Sequence, residues 1–300
     1  MGKYIVTGGA GFIGSNLVRS LAKEHDIVVV DNFHAGNEEN LASVEDRIEI
    51  IKTDCMELAG LEIEADGIFH LGMYSSSPMY KKDPSLVGRV VNGSIAVFEL
   101  AKMLGIKVVY ASTSSIYAGN IPPWREDMDI KVSDYYCEAR YAVERLARLY
   151  NMLFGVKSVG LRFFSVYGPN EKSKGNYANL ASQFLWAMKE GKRPVIYGDG
   201  KQKRDLIYVA DVVRATRLAM EKGFGCEIFN VGTGLATSLN ELVNALNMLL
   251  GTRISAQYVE NPVSNYIPET IADCAKARNV LGFEAKHTLE DGLKEMIALL

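Results

Sequence analysis

A glycine-rich segment near the start of the chain constrains the fold more than any other feature. Lys3–Thr7 is a short apolar run rich in β-branched residues, which predicts a buried parallel strand. Gly9, Gly11 and Gly14 follow in the spacing G-x-G-x-x-G, and a helical pattern opens at Phe12. A glycine-rich turn between a strand and a helix predicts a dinucleotide-binding unit, in which backbone N–H groups at the helix N-terminus face a pyrophosphate.

The second predicted strand ends in an acidic residue at the distance that such a unit requires. Ile27–Val30 forms this strand, and Asp31 follows it about twenty residues after the glycines. A carboxylate there accepts hydrogen bonds from the 2′-hydroxyl of the adenosine ribose and repels a 2′-phosphate. The pattern therefore predicts NAD rather than NADP as the cofactor. The alternative interpretation is a glycine-rich turn that binds nothing.

Composition and charge argue against several classes of function. The net charge of −3 provides no basic field that would attract nucleic acid or anionic lipid. We find no apolar stretch long enough to span a bilayer, and the chain opens on a strand rather than on a signal peptide. The cysteines are scattered, with no C-x-x-C pair and no histidine at zinc spacing. We therefore expect free thiols, no bound metal and a cytoplasmic location.

Strand-like and helix-like segments alternate along the chain, which predicts an α/β fold with a Rossmann-type, doubly wound parallel sheet. We expect an NAD-binding domain over 1–168, to which 205–232 returns, and a smaller interleaved substrate lobe over 169–204 and 233–300. The other predicted segments are the strands Ile48–Ile51, Gly67–Leu71, Lys107–Ala111, Ser158–Phe163 and Glu227–Gly232, the helices Ser94–Leu104, Ala139–Phe154 and Leu180–Glu190, and the loop Glu171–Asn176.

Ligands bind at the carboxyl edge of such a sheet, so the residues that follow each strand are the candidates for chemistry. Asp54 follows the third strand, where it could accept from an adenine amino group or be a solvated strand end. His70 lies inside a strand pattern and is interpreted as a buried, hydrogen-bonded histidine rather than a catalyst. A cluster of hydroxyl groups follows the strand Lys107–Ala111, at Ser112–Ser115.

Tyr136 and Arg140 are four residues apart in a helical pattern, so they lie one turn apart on the same face. A cation at that distance favours the ionised phenol that a tyrosine needs to act as a general base. Ser133 or Asp134 is the candidate N-cap of this helix. Taken alone, the pair is better interpreted as a surface contact, so its role depends on the surrounding motifs.

Taken together, the motifs resemble the extended short-chain dehydrogenase/reductase family, specifically nucleotide-sugar epimerases and dehydratases of the UDP-galactose 4-epimerase type. The resemblance covers essentially the whole chain. It is carried by T-G-G-A-G-F-I-G-S at Thr7–Ser15, Asp31–Asn32, Asp54, His70–Leu71, Asn92, S-T-S-S-I-Y at Ser112–Tyr117, Tyr136, R-F-F-S-V-Y-G-P at Arg162–Pro169, Y-G-D-G-K-Q-K-R-D at Tyr197–Asp205, Tyr208–Val209, Asp211 and N-V-G-T-G at Asn230–Gly234.

The resemblance implies an enzyme that holds NAD tightly while a hydride leaves a sugar carbon and returns to it. Tyr136 would be the general base, assisted by Thr113, with Arg140 at the position of the family's lysine. Substrate contacts would come from Thr113, Ser114, Ser115, Ser165 and Arg204, the last as a clamp on the diphosphate of a nucleotide sugar. Cofactor contacts would come from Gly8, Gly11, Phe12, Ile13, Gly14, Asp31, Asn32, Asp54, Cys55, Leu71, Asn92, Tyr136, Arg140 and Phe163.

The residues after Thr113 bear on the reaction. The dehydratase and decarboxylase branches of the resembled family carry acidic residues there, whereas this chain has Ser114 and Ser115. This difference predicts 4-epimerisation of a nucleotide sugar, most simply UDP-glucose and UDP-galactose or an N-acetyl or uronate analogue. The alternatives are a nucleotide-sugar reductase or dehydratase, and a non-catalytic protein that binds NAD or a nucleotide sugar.

Three further expectations follow from the same comparison. Ser165 replaces the family's usual asparagine, a choice similar to the threonine of uronate epimerases. Asn265–Tyr266 occupies the region where the family has a late R-x-G-D signature. We also expect a homodimer formed through the exposed faces of the helices Ser94–Leu104 and Ala139–Phe154.

Overall fold

The computed structural model describes residues 1–261 and 267–300, and its centre is a parallel β-sheet. The prediction on Asn265–Tyr266 lies outside the described residues. The strands are, in chain order, β1 (Lys3–Thr7), β2 (Asp26–Asp31), β3 (Ile48–Lys52), β4 (Gly67–His70), β5 (Lys107–Thr113), β6 (Ser158–Phe163), β7 (Ser165–Tyr167), β8 (Val195–Tyr197), β9 (Lys203–Arg204), β10 (Leu206–Tyr208), β11 (Cys226–Val231), β12 (Thr237–Ser238) and β13 (Gln257–Val259).

Helices connect these strands and cover both faces of the sheet. Short 3₁₀ segments and one π-helical turn, Ala277–Leu281, complete the described secondary structure. The α-helices are α1 (Phe12–Leu21), α2 (Ser77–Lys82), α3 (Leu86–Leu104), α4 (Tyr135–Phe154), α5 (Leu180–Lys189), α6 (Val209–Lys222), α7 (Leu239–Leu250) and α8 (Leu289–Ala298).

The central sheet has the strand order β11-β6-β5-β4-β1-β2-β3, and every neighbouring pair is parallel. The chain moves outward from β1 to β2 and β3, and then continues on the other side of β1 with β4. This reversal creates a crevice at the carboxyl ends of β1 and β4, where open α/β sheets bind ligands. The predicted Rossmann-type fold is confirmed, and the predicted strand Glu227–Gly232 corresponds to β11, which joins the sheet beside β6.

Alternate side chains of each strand pack on opposite faces of the sheet, as the period of two requires. Val6 and Val29 belong to the core that contains α1 and α6. Ile5 and Val28 belong to the core that contains α3 and α4. Because both faces are buried, the strands consist almost entirely of apolar residues, which is why the sequence shows them as uninterrupted runs.

The predicted strand ends agree with the structure to within two residues, whereas two of the predicted helices begin too late. Helix α3 begins at Leu86 rather than Ser94. The prediction missed its first half because Gly88 and Gly93, which have low helix propensity, weaken the helical pattern there. At Gly93, where α3 passes the segment after β3, a Cβ would lie 3.3 Å from the Cβ of Cys55, which is a tight contact. Helix α4 begins at Tyr135 rather than Ala139.

The second half of the chain differs more from the predictions. The expected loop Glu171–Asn176 is largely a 3₁₀ segment, Lys172–Tyr177, interrupted at Gly175, which has a φ of 52°. Helices α5 and α7 pack beside each other outside the central sheet. The boundaries of a separate substrate lobe remain a prediction. No helix among residues 1–261 and 267–300 is long and apolar enough to cross a membrane.

Candidate functional site

A cavity of about 410 Å³ lies at the carboxyl edge of the sheet, where the strand order reverses. The ends of β1, β2, β4, β5 and β6 form its floor, and the N-terminus of α1 and the first turns of α4 reach into its wall. Most of the predicted site residues therefore meet in one place. Those that line the cavity are Gly8, Gly11, Phe12, Ile13, Gly14, Asp31, Asn32, Asp54, Cys55, Leu71, Thr113, Ser114, Ser115, Tyr136, Arg140, Phe163 and Ser165.

The glycines after β1 bring the backbone close to any ligand in the cavity. Gly8 has a φ of 68°, and a Cβ on it would lie 2.7 Å from the Cα of Gly72. A Cβ on Gly14 would lie 2.0 Å from the carbonyl oxygen of Gly8, so only glycine allows α1 to start this close to β1. Gly11 caps α1 without a side-chain hydrogen bond, which leaves the first-turn N–H groups available to an anion.

Asp31 lies at the end of β2, only 7% exposed, with its carboxylate in the cavity wall. Its Oδ2 accepts from the backbone N of Ala10 at 2.9 Å and its Oδ1 from the backbone N of Phe33 at 2.7 Å. Burial raises the pKa of this carboxyl above its ordinary value, although these two hydrogen bonds oppose the rise. Each oxygen can accept a further hydrogen bond, as a ribose-binding carboxylate must.

Asp54 has a local partner that neither sequence interpretation anticipated. Its Oδ2 accepts from the side-chain amide of Asn32 at 2.9 Å, and its Oδ1 accepts from the backbone N of Met56 at 3.1 Å. The second contact caps the 3₁₀ segment Cys55–Gly60. Burial raises the pKa of the Cys55 thiol to about 12, so this cysteine in the cavity wall is a neutral thiol near pH 7.

The hydroxyl cluster at the end of β5 lines the cavity, and two of its members also make structural hydrogen bonds. Ser112 donates to Oε1 of Glu144 at 2.6 Å, and Glu144 is itself paired with Arg162 at 2.7 Å in the protein interior. Thr113 ends β5 and accepts from the backbone N of Ser115 at 3.2 Å, which starts a short 3₁₀ segment. All four residues, Ser112–Ser115, line the cavity, and Ser112 is bonded to Glu144 at the same time.

Tyr136 and Arg140 lie one turn apart on α4, as predicted. Asp134 accepts from the backbone N of Cys137 at 2.7 Å and caps the helix, which confirms one of the two candidate caps. The guanidinium carbon of Arg140 lies 5.3 Å from the centre of the Tyr136 ring. Arg140 is 4% exposed, and its Nη2 donates to the carbonyl of Tyr74 at 2.8 Å. The charge that accompanies Tyr136 is thus held rigidly by the loop after β4.

Three sequence expectations need separate comment. His70 is buried between Thr7 and Ser94, with ring-nitrogen contacts of 2.8 and 3.1 Å, so its interpretation as a structural histidine is confirmed. Burial lowers its pKa to about 3. Asn92 lies on the exposed side of α3, and neither it nor Arg204 is among the residues that line the cavity. The cofactor role of Asn92 and the clamp role of Arg204 therefore remain predictions.

Sequence reasoning missed several residues of the cavity wall. Some directly follow predicted strand ends, so extending each strand end by a few residues would have included them. Others, in the segment after β7 and on α3, gave no local signal. The missed residues are His34, Ala35, Gly36, Tyr74, Ser75, Ser77, Met79, Arg89, Val90, Gly93, Phe164, Lys174, Tyr177 and Asn179.

The cavity has the features that NAD requires. The glycine-rich turn from Gly8 to Gly14 has no room for a Cβ on Gly8 or Gly14, and it ends at an uncapped helix N-terminus suited to a pyrophosphate. Asp31 would receive the adenosine ribose. The Nε of Arg140 is buried and unpaired among the described residues, which leaves a donor at the wall near Tyr136.

Comparison with known proteins also indicates a protein that binds NAD. The model of the NAD-dependent epimerase/dehydratase family matches residues 4–232. The chain belongs to this family. Its fold and its NAD dependence, both predicted above, are those of the family, so it is an enzyme of the epimerase/dehydratase type.

The relatives do not share a single reaction. UDP-glucose 4-epimerase from Mycolicibacterium smegmatis is 34% identical, with 98% of this chain and 97% of that protein covered. UDP-N-acetyl-alpha-D-glucosaminuronate decarboxylase from Bacillus cytotoxicus is 32% identical, with 98% and 96% covered. The structure of UDP-glucose 4-epimerase from Thermotoga maritima with UDP-glucose superposes with a TM-score of 0.93 at 32% identity, covering 99% and 97% of the two chains.

Proposed function

We propose that this protein is an NAD-dependent 4-epimerase of a nucleotide sugar, with a UDP-sugar as the first candidate. The observation that carries the proposal is the distribution of acidic side chains in the cavity. Among the described lining residues they are Asp31 and Asp54, which follow β2 and β3 at the cofactor end. The end formed by Thr113 and Tyr136 has hydroxyl groups instead, so it offers no carboxylate to assist elimination or decarboxylation.

The residues at the Thr113 end suffice for a reversible oxidation at a sugar carbon. Bound NAD would supply the nicotinamide ring that takes up a hydride from the sugar and returns it. Tyr136 takes the proton of the sugar hydroxyl and gives it back after the sugar has turned, so the step needs no other acid or base. Thr113 would hydrogen-bond the same hydroxyl, and Arg140 holds a positive charge 5.3 Å from the centre of the Tyr136 ring.

The glycines and strand ends would hold the cofactor. Gly8, Gly11 and Gly14 would receive the pyrophosphate and Asp31 the adenosine ribose. The relatives include UDP-sugar epimerases and a UDP-sugar decarboxylase, which supports UDP as the nucleotide. We infer that Ser165 and the serines after Thr113 contact the sugar.

The test is a panel of UDP-, GDP- and dTDP-sugars incubated with the purified protein, with the products identified by NMR. We expect conversion of at least one substrate into its 4-epimer until equilibrium is reached. Release of CO₂ from a uronate would instead identify a decarboxylase, and a 4-keto-6-deoxy product would identify a dehydratase. Binding of a nucleotide sugar without any product would support the non-catalytic alternative.

Two broader features accompany this proposal. The last turns of α3 and α4 expose Met103, Met152, Leu153 and Phe154, and we propose that these helices pair in a homodimer. Light scattering on the parent and on Met152→Lys would test this, since a charge at the interface should give monomers.

All four cysteines are unpaired, which supports a reducing location such as the cytoplasm.

A further inference from the structure

Glu171, just after the glycine-proline turn that follows β7, is a buried carboxylate that the roles above leave unexplained. It is 1% exposed. Its Oε1 accepts from the backbone N of Asn179 at 2.8 Å and from Nζ of Lys174 at 2.9 Å. Its Oε2 accepts from the hydroxyl of Ser182 at 2.5 Å. Since three hydrogen bonds occupy its oxygens and the side chain is buried, Glu171 organises its own segment and has little capacity left for a ligand.

Lys174 is the side chain that this arrangement holds in place. It lines the cavity and is 16% exposed, and its Nζ lies 5.3 Å from the centre of the Phe12 ring. Phe12 is the first residue of α1, so the ammonium group lies near the side chain that opens the helix after the glycine-rich turn. An ammonium has three N–H donors, and the bond to Glu171 uses one of them.

The surroundings of Lys174 favour an anion. The first turn of α1 contains no acidic residue, and its cap, Gly11, provides no side-chain acceptor. The described cations that line the cavity are Arg89, Arg140 and Lys174. Arg140 is bonded to the carbonyl of Tyr74 and Arg89 belongs to α3, whereas Lys174 is the cation whose ammonium group lies near the Phe12 ring at the start of α1. A helix N-terminus and an adjacent ammonium together form a strong site for phosphate oxygens.

We propose that Lys174 donates a hydrogen bond to a diphosphate in this cavity, and that Glu171 positions it by fixing its ammonium group in advance. A long lysine side chain loses rotamer freedom when it binds, and the contact to Glu171 removes much of that loss beforehand. Both NAD and a nucleotide sugar carry a diphosphate. Only the second of these ligands depends on the function proposed above, and the position beside α1 points first to the dinucleotide.

Calorimetric titration with NAD and, separately, with UDP tests the proposal without any turnover. Lys174→Met keeps the apolar stem and removes the charge, and we expect it to weaken binding of at least one ligand by about tenfold to a hundredfold. Lys174→Arg should recover most of the lost affinity. The matched control is Lys172→Met, which removes the same charge from an exposed position of the same segment and should change affinity less than twofold.

The pattern of loss identifies the ligand. A loss confined to NAD assigns Lys174 to the dinucleotide, and a loss confined to UDP assigns it to the nucleotide sugar. Unchanged binding of both ligands by Lys174→Met, in a variant that melts at the parent temperature, overturns the proposal. Because no reaction is measured, absence of epimerisation in the sugar panel does not affect this result.

A double-mutant cycle tests the role of Glu171. Glu171→Gln should weaken binding less than Lys174→Met does, because the lysine remains present but is no longer held. If Glu171 acts through Lys174, the double variant should bind no more weakly than Lys174→Met alone. A purely structural role would instead add a second, independent loss and would contradict the positioning role.

Discussion

Two buried aspartates show how differently the two halves of the molecule use a carboxylate. Asp31, at the cofactor end of the cavity, accepts from two backbone N–H groups and keeps its carboxylate in the cavity wall. Asp205, between β9 and β10, is 0% exposed and accepts from Thr233, Gly234 and Ala272 through four hydrogen bonds of 2.7–3.0 Å. Burial raises the pKa of both.

The difference between them lies in unused hydrogen-bonding capacity. Asp31 has acceptor positions left for a ligand, whereas the positions of Asp205 are taken by segments that are far apart in the chain. A Cβ on Gly232 would lie 2.7 Å from Oδ2 of Asp205, so the chain packs tightly around this carboxylate. Burial of a charge therefore marks a ligand site only where the carboxylate also reaches a cavity.

Tyr136→Phe should give the largest effect and should be confined to the cavity. We expect kcat to fall about 10³-fold or more, because the variant lacks the proton acceptor, while NAD binding stays within about twofold. Tyr135→Phe is the matched control, since Tyr135 is 53% exposed on the same helix turn and should keep full activity. Near-normal turnover by Tyr136→Phe would show that another group is the base.

Asp205→Ala tests the contribution of the buried Asp205 carboxylate to the stability of the fold. We expect a loss of about 3 kcal/mol in the free energy of unfolding, because the N–H groups of Thr233, Gly234 and Ala272 lose their acceptor inside the protein. Urea denaturation measures it, with Asp199→Ala at an exposed position as the control. A loss below about 1 kcal/mol would mean that the stability of the second half of the chain does not depend on the hydrogen bonds of Asp205.

Arg140→Met returns to the cavity and asks whether the fixed charge matters for the reaction. We expect kcat to fall about 10²-fold, since the proton acceptor loses its neighbouring positive charge. Arg140→Lys should remain active with the maximum of kcat shifted to lower pH, because an ammonium concentrates its charge. Identical pH profiles of kcat for Arg140→Met and the parent would exclude a role for the cation.

Asp31→Asn should affect the ligand more than the fold, in contrast to Asp205→Ala. We expect about a tenfold weaker affinity for NAD and a smaller preference for NAD over NADP, because the charge that repels a 2′-phosphate is gone. Fluorescence titration with NADH and NADPH measures both. Asp26→Asn, at the exposed start of β2, is the control. An unchanged preference for NAD over NADP would show that a residue other than Asp31 discriminates between the two cofactors.

The smallest effect concerns Asp211 on α6, a second buried carboxylate that connects distant segments of the chain. Burial opposes its ionisation, but hydrogen bonds from the backbone N–H groups of His287 and Lys286 and from the side chains of Arg214 and His287 bring its pKa below the ordinary value. A lowered carboxyl pKa stabilises the fold above the unfolded pKa, and this contribution disappears as the pH falls through the folded pKa.

We therefore expect Asp211→Asn to lose about 1 kcal/mol of stability at pH 7 and to lose less than the parent on acidification. Urea denaturation between pH 3 and pH 7, which are about one unit below and three above the ordinary carboxyl pKa, checks both parts. Parallel curves for the two proteins across this range would show that Asp211 does not carry the proton linkage.

The cofactor half could be predicted from the sequence because its signals are local. The strand β1, the glycines and the first turn of α1 are contiguous, and Asp31 follows from the length of one βα unit. The N-cap Asp134 and the position of Tyr136 on α4 could be predicted for the same reason. Helices α7 and α8 could also have been found, since each starts with a capping box, at Ser238 and Thr288, that the hydrophobic pattern alone does not show.

The sequence by itself thus determined the parallel sheet, the glycine-rich turn between β1 and α1, the acidic residue at the end of β2 and the spacing of Tyr136 and Arg140. Tertiary structure alone decided that Lys174 lies beside Phe12, that Arg140 is held by the carbonyl of Tyr74, and that Arg204 lies away from the cavity lining. The physical reason is distance along the chain. Strand, turn and cap signals act within a few residues, whereas these contacts join segments that meet only after the whole core has packed.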